Sequence, residues 1–311
     1  MHIHVLGSGA GGGFPQWNCN HPISRRARNK EASARPRTQS SIAVSADGRD
    51  WFLFNASPDL RQQINDNAVL HPDPNQGLRH SPIKGVVVTN ADVDHITGLL
   101  TLRESQPLRI YGTRRVLGIL GTNTIFNVLN PEFVKREPIT LNQPTELQHP
   151  DGKVSGIVVV PFAVPGKIAL WLEDATKGAG FGSVEEDTIG LEVRDSRGKT
   201  AFFYIPGCAS MPPELASRLR GAPLVFFDGT LWTDDEMIKG GVGTKTGRRM
   251  GHMSVNEPDG TIAAFKDLGV KRKIFIHINT TNPILIEDSA ERKACAAAGW
   301  EVAYDGMDIK I

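Results

Sequence analysis

Apolar and polar residues fall into short alternating or clustered runs along the whole chain. "MHIHVLG" alternates and enters "GSGAGGG", which predicts a strand and a glycine-rich turn. "SSIAVSADG", "DWFLFNAS", "IKGVVVTN" and "LRIYGT" predict further short strands. The second half repeats the style with "KVSGIVVVPFAV", "ALWLED", "TIGLEVRD", "KTAFFYIPG", "APLVFFDG", "KRKIFIHIN" and a closing "EVAYDGMDIKI". Helical spacing marks "ITGLLTLRES", "TRRVLGILGTNTIFNVL", a stretch from about Glu257 to Leu268, and "IEDSAERKACAAAG". Strands dominate the middle of each half and helices follow them. The pattern predicts an α/β fold with two packed sheets and helices outside.

No linker, charge block, repeat or low-complexity tract divides the chain, so residues 1–311 read as a single domain. A basic segment around 19–38, with Arg25, Arg26, Arg28, Lys30, Arg35 and Arg37, reads as a solvated loop insertion, and phosphate binding is its alternative. The net charge of +1 gives no field to recruit nucleic acid or an acidic membrane. No apolar run approaches the ~20 residues of a spanning helix, so no membrane insertion is expected. The first residues lack a basic region followed by an apolar one, and three cysteines give no disulfide framework. A cytoplasmic location is the expectation.

The glycine run loosely matches a dinucleotide fingerprint, but "FPQWNCNHP" after it has two prolines and no helical period. It reads as a structural turn. Polar residues collect instead at strand ends: Asp59, Asn90, Asp92, Asp94, His95, Cys208, Asp228, His252 and His277. Each alone has a plain explanation. His277 lies inside an apolar run and suits a core histidine, Asp228 suits a turn before Gly229, and Cys208 suits a buried small residue. "DVDH" is harder to explain away. An N-cap accounts for Asp94 but not for Asp92 beside His95, and like charges that close call for a cation.

These motifs resemble the metallo-β-lactamase superfamily, whose fold is a four-layer αβ/βα sandwich with metals in a cleft at one edge. Its second motif is a strand, then His-x-His-x-Asp-His, then a helix beginning Gly-Leu. Here they read "GVVVT", "NADVDH" and "ITGLL". Asp59 in "NASPDLR" matches the first-motif aspartate, and "GHMS" with "IFIHINTTNP" resembles the late histidines of the phosphodiesterase-like branch. "GGGFPQWNC", "RPRTQSS", "LRHSPI", "PGKIALWLED", "YIPGC" and "GVGTKTG" are similar to the protein B family of pyrroloquinoline quinone (PQQ) biosynthesis. Relatives usually carry a Cys-x-Cys-x-x-Cys pattern suited to a structural zinc. Here the positions hold Cys19, His21 and Ser24, so at most a degraded zinc site at Cys19 and His21 is expected.

The resemblance also shows what has changed. The two leading histidines of the hydrolytic motif are Asn90 and Asp92, the later loop "FAVPGKI" has no histidine, and "YIPGC" replaces the bridging aspartate. A hydroxide bridged between two metals is not supported. Asp94, His95 and His277 remain, with Asp92 as a fourth candidate ligand or acid/base group. Two imidazoles and a carboxylate are the composition of non-haem Fe(II) oxygenase sites, although Zn, Mn or Cu could occupy the same ligands.

The family resemblance implies hydroxylation of the tyrosine ring of a Glu-Tyr-derived precursor. Asp92, Asn90 and His252 are the candidate catalytic residues, and Asp59 and Asp228 the outer support. Lys245, Arg248 and Arg249 are candidates to hold substrate carboxylates, or else a solvated run. A soluble carrier of PQQ or its precursor, assisting transport to the periplasm, and a metal-dependent hydrolase are the alternatives. Other proteins of the pathway and a second copy of the chain, as a homodimer, are the candidate partners.

Overall fold

The computed structural model describes residues 1–178 and 180–311. In chain order the strands of the first sheet are β1 (His2–Gly7), β2 (Ser41–Ser45), β3 (Trp51–Phe54), β4 (Ile83–Val87), β5 (Leu108–Gly112) and β6 (Val134–Pro138). Then come β7 (Thr145–Gln148), β8 (Val154–Ala163), β9 (Ile189–Asp195), β10 (Thr200–Ile205), β11 (Val225–Asp228), β12 (Lys273–Ile276) and β13 (Trp300–Val302) of the second sheet. The last strand, β14 (Asp308–Lys310), returns to the first sheet. The sheet orders are β14-β1-β2-β3-β4-β5-β6 and β13-β12-β11-β10-β9-β8-β7. Each sheet is antiparallel on one side and parallel on the other, with β3-β4-β5-β6 and β10-β11-β12-β13 parallel.

The layers follow from side-chain alternation. In β3 all four residues are buried, because the strand is covered on both faces. Phe52 and Phe54 point into the core between the sheets, with Val159, Leu191 and Phe226. Trp51 and Leu53 point outward under the helices, with Leu60, Leu99 and Leu120. Val225 and Phe227 of β11 do the same on the other side, with Leu219 and Phe265. Each such side chain stabilises the fold by roughly 1.5–3 kcal/mol. The result is the helix–sheet–sheet–helix sandwich expected, and its central core draws on both halves of the chain.

Several local expectations change. The helix expected over 257–268 shrinks to Thr261–Ala264, because Pro258 and Gly260 place a turn first. "ITGLLTLRES" gives a short helix, Val93–Ile96, and then 3₁₀ turns over Thr97–Leu102. "ALWLED" is a 3₁₀ turn, Leu170–Leu172, not a strand. The closing run splits into β13 and β14 of different sheets, turned at Gly306 with φ 88°. The basic segment contains a helix, Pro22–Arg28, with proline in its first turn. The edge strands β6 and β7 escaped the pattern because "VKREP" and "TELQ" are polar.

The parallel strands β3, β4, β11 and β12 end at one rim of the sandwich. The glycine-rich turn after β1 joins the sheets there: Ala10 N–H donates to Ile278 O at 2.8 Å, and Ile278 N–H to Ser8 O at 2.9 Å. No helix among the described residues is long and apolar enough to cross a membrane.

Candidate metal centre

The loop after β4 is held by the end of β3. Asn55, at φ 65°, accepts the Thr89 amide at 2.9 Å and donates to the Thr89 hydroxyl at 3.0 Å. The Ala56 amide donates to His95 O at 2.7 Å, and the Gly98 amide to Ala56 O at 2.9 Å. Gly98 has no room for a side chain, since a Cβ there would lie 2.2 Å from Ser57 O. The segment around Val93–Ile96 is therefore pinned flat against the first sheet. Asp92, not Asp94, is its N-cap residue, and the Asp92 side chain makes no capping bond.

Three candidate ligands meet at the rim. His277 follows the last residue of β12 at φ 60°, a left-handed conformation costly for a bulky side chain and typical of functional positions. It is a rim residue, not the mid-strand core histidine its apolar neighbours suggest. Its Nε2 lies 3.0 Å from Asp94 Oδ2, and His95 Nε2 lies 3.9 Å from the same oxygen. Ligand atoms of Asp94, His95 and His277 all fall within 4.8 Å of one another.

His95 supplies the test of whether a cation fits. Its Nδ1 is 2.7 Å from Asn90 Oδ1, which can only accept, so Nδ1 carries the proton and Nε2 the lone pair. That Nε2 is buried and has no hydrogen-bond partner. A buried acceptor facing a carboxylate is an unfavourable arrangement that a divalent ion would convert into a ligand set. Burial raises the Asp94 carboxyl, but His95 and His277 outweigh it and hold the group well below its ordinary range. Burial lowers His95, and the Asp94 carboxylate raises His277 in spite of burial. The Asp94–His277 contact thus holds a proton where an ion would bind.

Asp228, fully buried at the end of β11, anchors the other wall. It accepts from the Cys208 amide at 2.8 Å, the Thr230 hydroxyl at 2.6 Å and His252 Nδ1 at 2.7 Å. His252 stacks on His277 with centroids 5.1 Å apart, and Asp228, His252 and His277 form a second group of suitable ligand atoms. Thr230 Oγ1 reaches both rings, 3.1 Å from His252 Nδ1 and 2.9 Å from His277 Nδ1. Thr230 gave no signal in the sequence, because a threonine after a strand is ordinary.

The remaining candidates lie further out. Asn90 Oδ1 is occupied by His95 and by the Asp92 amide at 3.0 Å, which makes Asn90 a positioning residue. Asp92 is outside both ligand groups, and its Oδ1 accepts the Leu170 amide at 3.0 Å. Asp59 accepts from the Gln39 amide at 2.8 Å, Gln39 accepts the Gly12 amide at 2.8 Å, and Gly11 borders Asp94. Asp59 therefore supports the site through the glycine turn.

Arg248 pairs with Asp259, whereas Arg249 makes two bonds to Glu173. Lys245 makes no ion pair among the described residues. The Cys208 thiol is buried, donates to Ser210 O at 3.1 Å and belongs to neither ligand group among the described residues. Cys19 Sγ accepts the Ser24 hydroxyl at 3.3 Å. His21 Nδ1 is buried without a partner, and neither Cys19 nor His21 joins a ligand group among the described residues. A hydrogen bond from Ser24 thus stands where the expected remnant zinc site would need a third ligand.

Residues 50–278 match the model of the beta-lactamase superfamily domain. The chain is 55% identical, over 100% of both lengths, to coenzyme PQQ synthesis protein B of Xanthomonas oryzae pv. oryzae (strain MAFF 311018). It is 50% identical, with a TM-score of 0.93 and 100% coverage of both chains, to the crystal structure of Zn(2+)-bound PqqB from Methylobacterium extorquens. A diphosphatase from the PhnP family shares the fold, with a TM-score of 0.67 at 19% identity over 99% of this chain and 96% of that one. With a matching fold and identity over the full length, the chain belongs to the coenzyme PQQ synthesis protein B family of the beta-lactamase superfamily.

Proposed function

We propose that the protein acts in PQQ synthesis as a mononuclear Fe(II)-dependent hydroxylase of the tyrosine ring in a Glu-Tyr-derived precursor. Support for the pathway comes from the names of its relatives, and support for a divalent metal from the zinc-bound relative together with the unpartnered His95 Nε2. The observation that carries the reading is the donor set: Asp94, His95 and His277 converge, while Asn90 is committed to His95 and Cys208 is turned away. Iron at Asp94, His95 and His277 would supply one-electron chemistry and open coordination positions for dioxygen.

The chain's own residues do the rest. Asn90 fixes the His95 tautomer, so that Nε2 faces inward. Asp228 fixes the proton of His252 on Nδ1, leaving Nε2 as the acceptor for a proton from the substrate phenol. Thr230 keeps the His252 and His277 rings in register. Cationic side chains at the cleft mouth hold the precursor's carboxylates.

The test is oxygen uptake by protein loaded anaerobically with Fe(II) and supplied with ascorbate, the two-electron donor that takes the second oxygen atom to water, with and without a tyrosine-containing dipeptide, and mass spectrometry of the product. Gain of one oxygen on the ring, in step with uptake, is expected. Tight binding of PQQ with no uptake on any tyrosine-containing candidate would favour a carrier instead.

A further inference from the structure

Residues 164–178, which follow β8, form a strap over the rim. It is tied to the metal loop at two points: the Leu170 amide donates to Asp92 Oδ1 at 3.0 Å, and Trp171 Nε1–H donates to Ala91 O at 3.2 Å. Next to those ties, Glu173 reaches back across the rim. One of its oxygens lies 3.0 Å from Lys167 Nζ, and the other 2.7 Å from an Arg249 guanidinium nitrogen. Neither cation has another carboxylate within 4.0 Å among the described residues.

This cluster borders the candidate metal centre. Arg249 lies three residues before His252, and the Lys167 stem packs on Gly251, where a Cβ would be 3.2 Å from Lys167 Cγ. The Glu173 and Lys167 side chains are only 11% and 14% exposed, so the pair is shielded from screening. Two cations around one carboxylate leave a net positive charge. The carboxyl of Glu173 is held down to about 2, chiefly by its bonds to Arg249.

A guanidinium fork with an ammonium beside it is the arrangement that recognises a carboxylate. Glu173 is the intramolecular member of that class. It sits on a strap segment flanked by Gly166 and by Gly178 at φ 77°, and an added Cβ at Gly178 would meet nothing within 4 Å.

We propose that Lys167 and Arg249 are the receptor for a carboxylate of the substrate, and that Glu173 occupies it as an internal stand-in until the substrate displaces it. The proposal deepens the reading above, from which it takes the carboxylate-bearing substrate. Lys167 takes the place that the sequence pattern offered to Arg248, which is engaged by Asp259 instead.

The experiment measures binding on Zn(II)-loaded protein, where no turnover occurs. PQQ and the dipeptide Glu-Tyr are the carboxylate probes, and the trimethyl ester of PQQ is the control without free carboxylates. Removing the internal competitor with Glu173→Gln should tighten carboxylate binding about tenfold. Lys167→Met and Arg249→Met should each weaken it about tenfold, and the ester should be insensitive to all three. A staple that merely closes the strap predicts the opposite sign for Glu173→Gln. Equal, weaker or undetectable binding of both carboxylate probes by that variant overturns the proposal, as does an equal gain for the ester. If Glu173→Gln does not fold, unchanged affinity in both cation variants overturns it. Failure of oxygen uptake would strike the hydroxylase reading alone, since binding to the zinc form needs neither dioxygen nor iron.

Discussion

Asn90→Ala tests the logic of the metal loop most sharply, because it removes no ligand. In the native chain the Asn90 carbonyl accepts from His95 Nδ1 at 2.7 Å and from the Asp92 amide at 3.0 Å, at a position only 7% exposed. Alanine leaves both donors without that acceptor and lets His95 change tautomer. Loss of such an outer partner typically costs 10–100-fold in metal affinity, or about 1.4–2.7 kcal/mol. The buried His95 donor left unsatisfied should also cost about 1–3 kcal/mol in stability, and the half-buried Asp92 amide less. Asn90→Asp keeps an acceptor in place and adds negative charge, so it should bind the ion at least as tightly as the native chain. The assay is Zn(II) or Fe(II) competition against a chromophoric chelator, with unfolding in denaturant run in parallel. Native metal affinity in Asn90→Ala would falsify the claim that Asn90 orients His95.

Three further outcomes come from the same geometry. Gly98→Ala should destabilise the protein by about 1–3 kcal/mol or more in denaturant unfolding, because its Cβ would lie 2.2 Å from the Ser57 carbonyl oxygen; native stability would mean that this contact is not close. Asp228→Asn should free His252 and cost about 3–5 kcal/mol of stability, since it breaks a buried charge-assisted network; an unchanged unfolding midpoint would refute that role. Glu236 accepts from the Trp232 amide at 2.6 Å and is pushed by burial from the ordinary 4.5 up to about 7. A carboxyl raised in the folded state contributes stability below about pH 4.5 that is lost as pH rises through about 7. Glu236→Gln should therefore stabilise the protein by up to about 3 kcal/mol at pH 8 and by almost nothing at pH 4. An equal effect at both values would contradict the burial argument.

The layered fold was legible because the apolar patterning of a strand is a local property. "WFLF" and "VFFD" sit in central strands covered on both faces, and their continuous apolar character says so. The edge strands β6 and β7 were not legible, since half-exposed polar runs have no such signature. Helix lengths failed where Pro258 and Gly260 imposed turns within an apolar period. At the rim, Asp94, His95 and His277 were readable as chemistry in excess of what caps and turns require. The division of labour around them was not. Whether Asp92 faces the ion or the strap, and which of Lys245, Arg248 and Arg249 reaches the cleft, depends on a strap that meets these residues only in three dimensions. Lys167 and Glu173 bracket the apolar run "IALWL", which reads as a strand and so hides the turn that brings both side chains to the rim.

The central claim is that one ion, held by Asp94, His95 and His277, leaves positions open for small ligands. The direct measurement is anaerobic Fe(II) titration followed by electron paramagnetic resonance of the nitric oxide adduct, for the native chain and for His277→Ala. One iron per chain and a high-spin iron–nitrosyl signal are expected in the native protein, with both lost in His277→Ala. Two irons per chain, or one iron that takes up no nitric oxide, would contradict that claim.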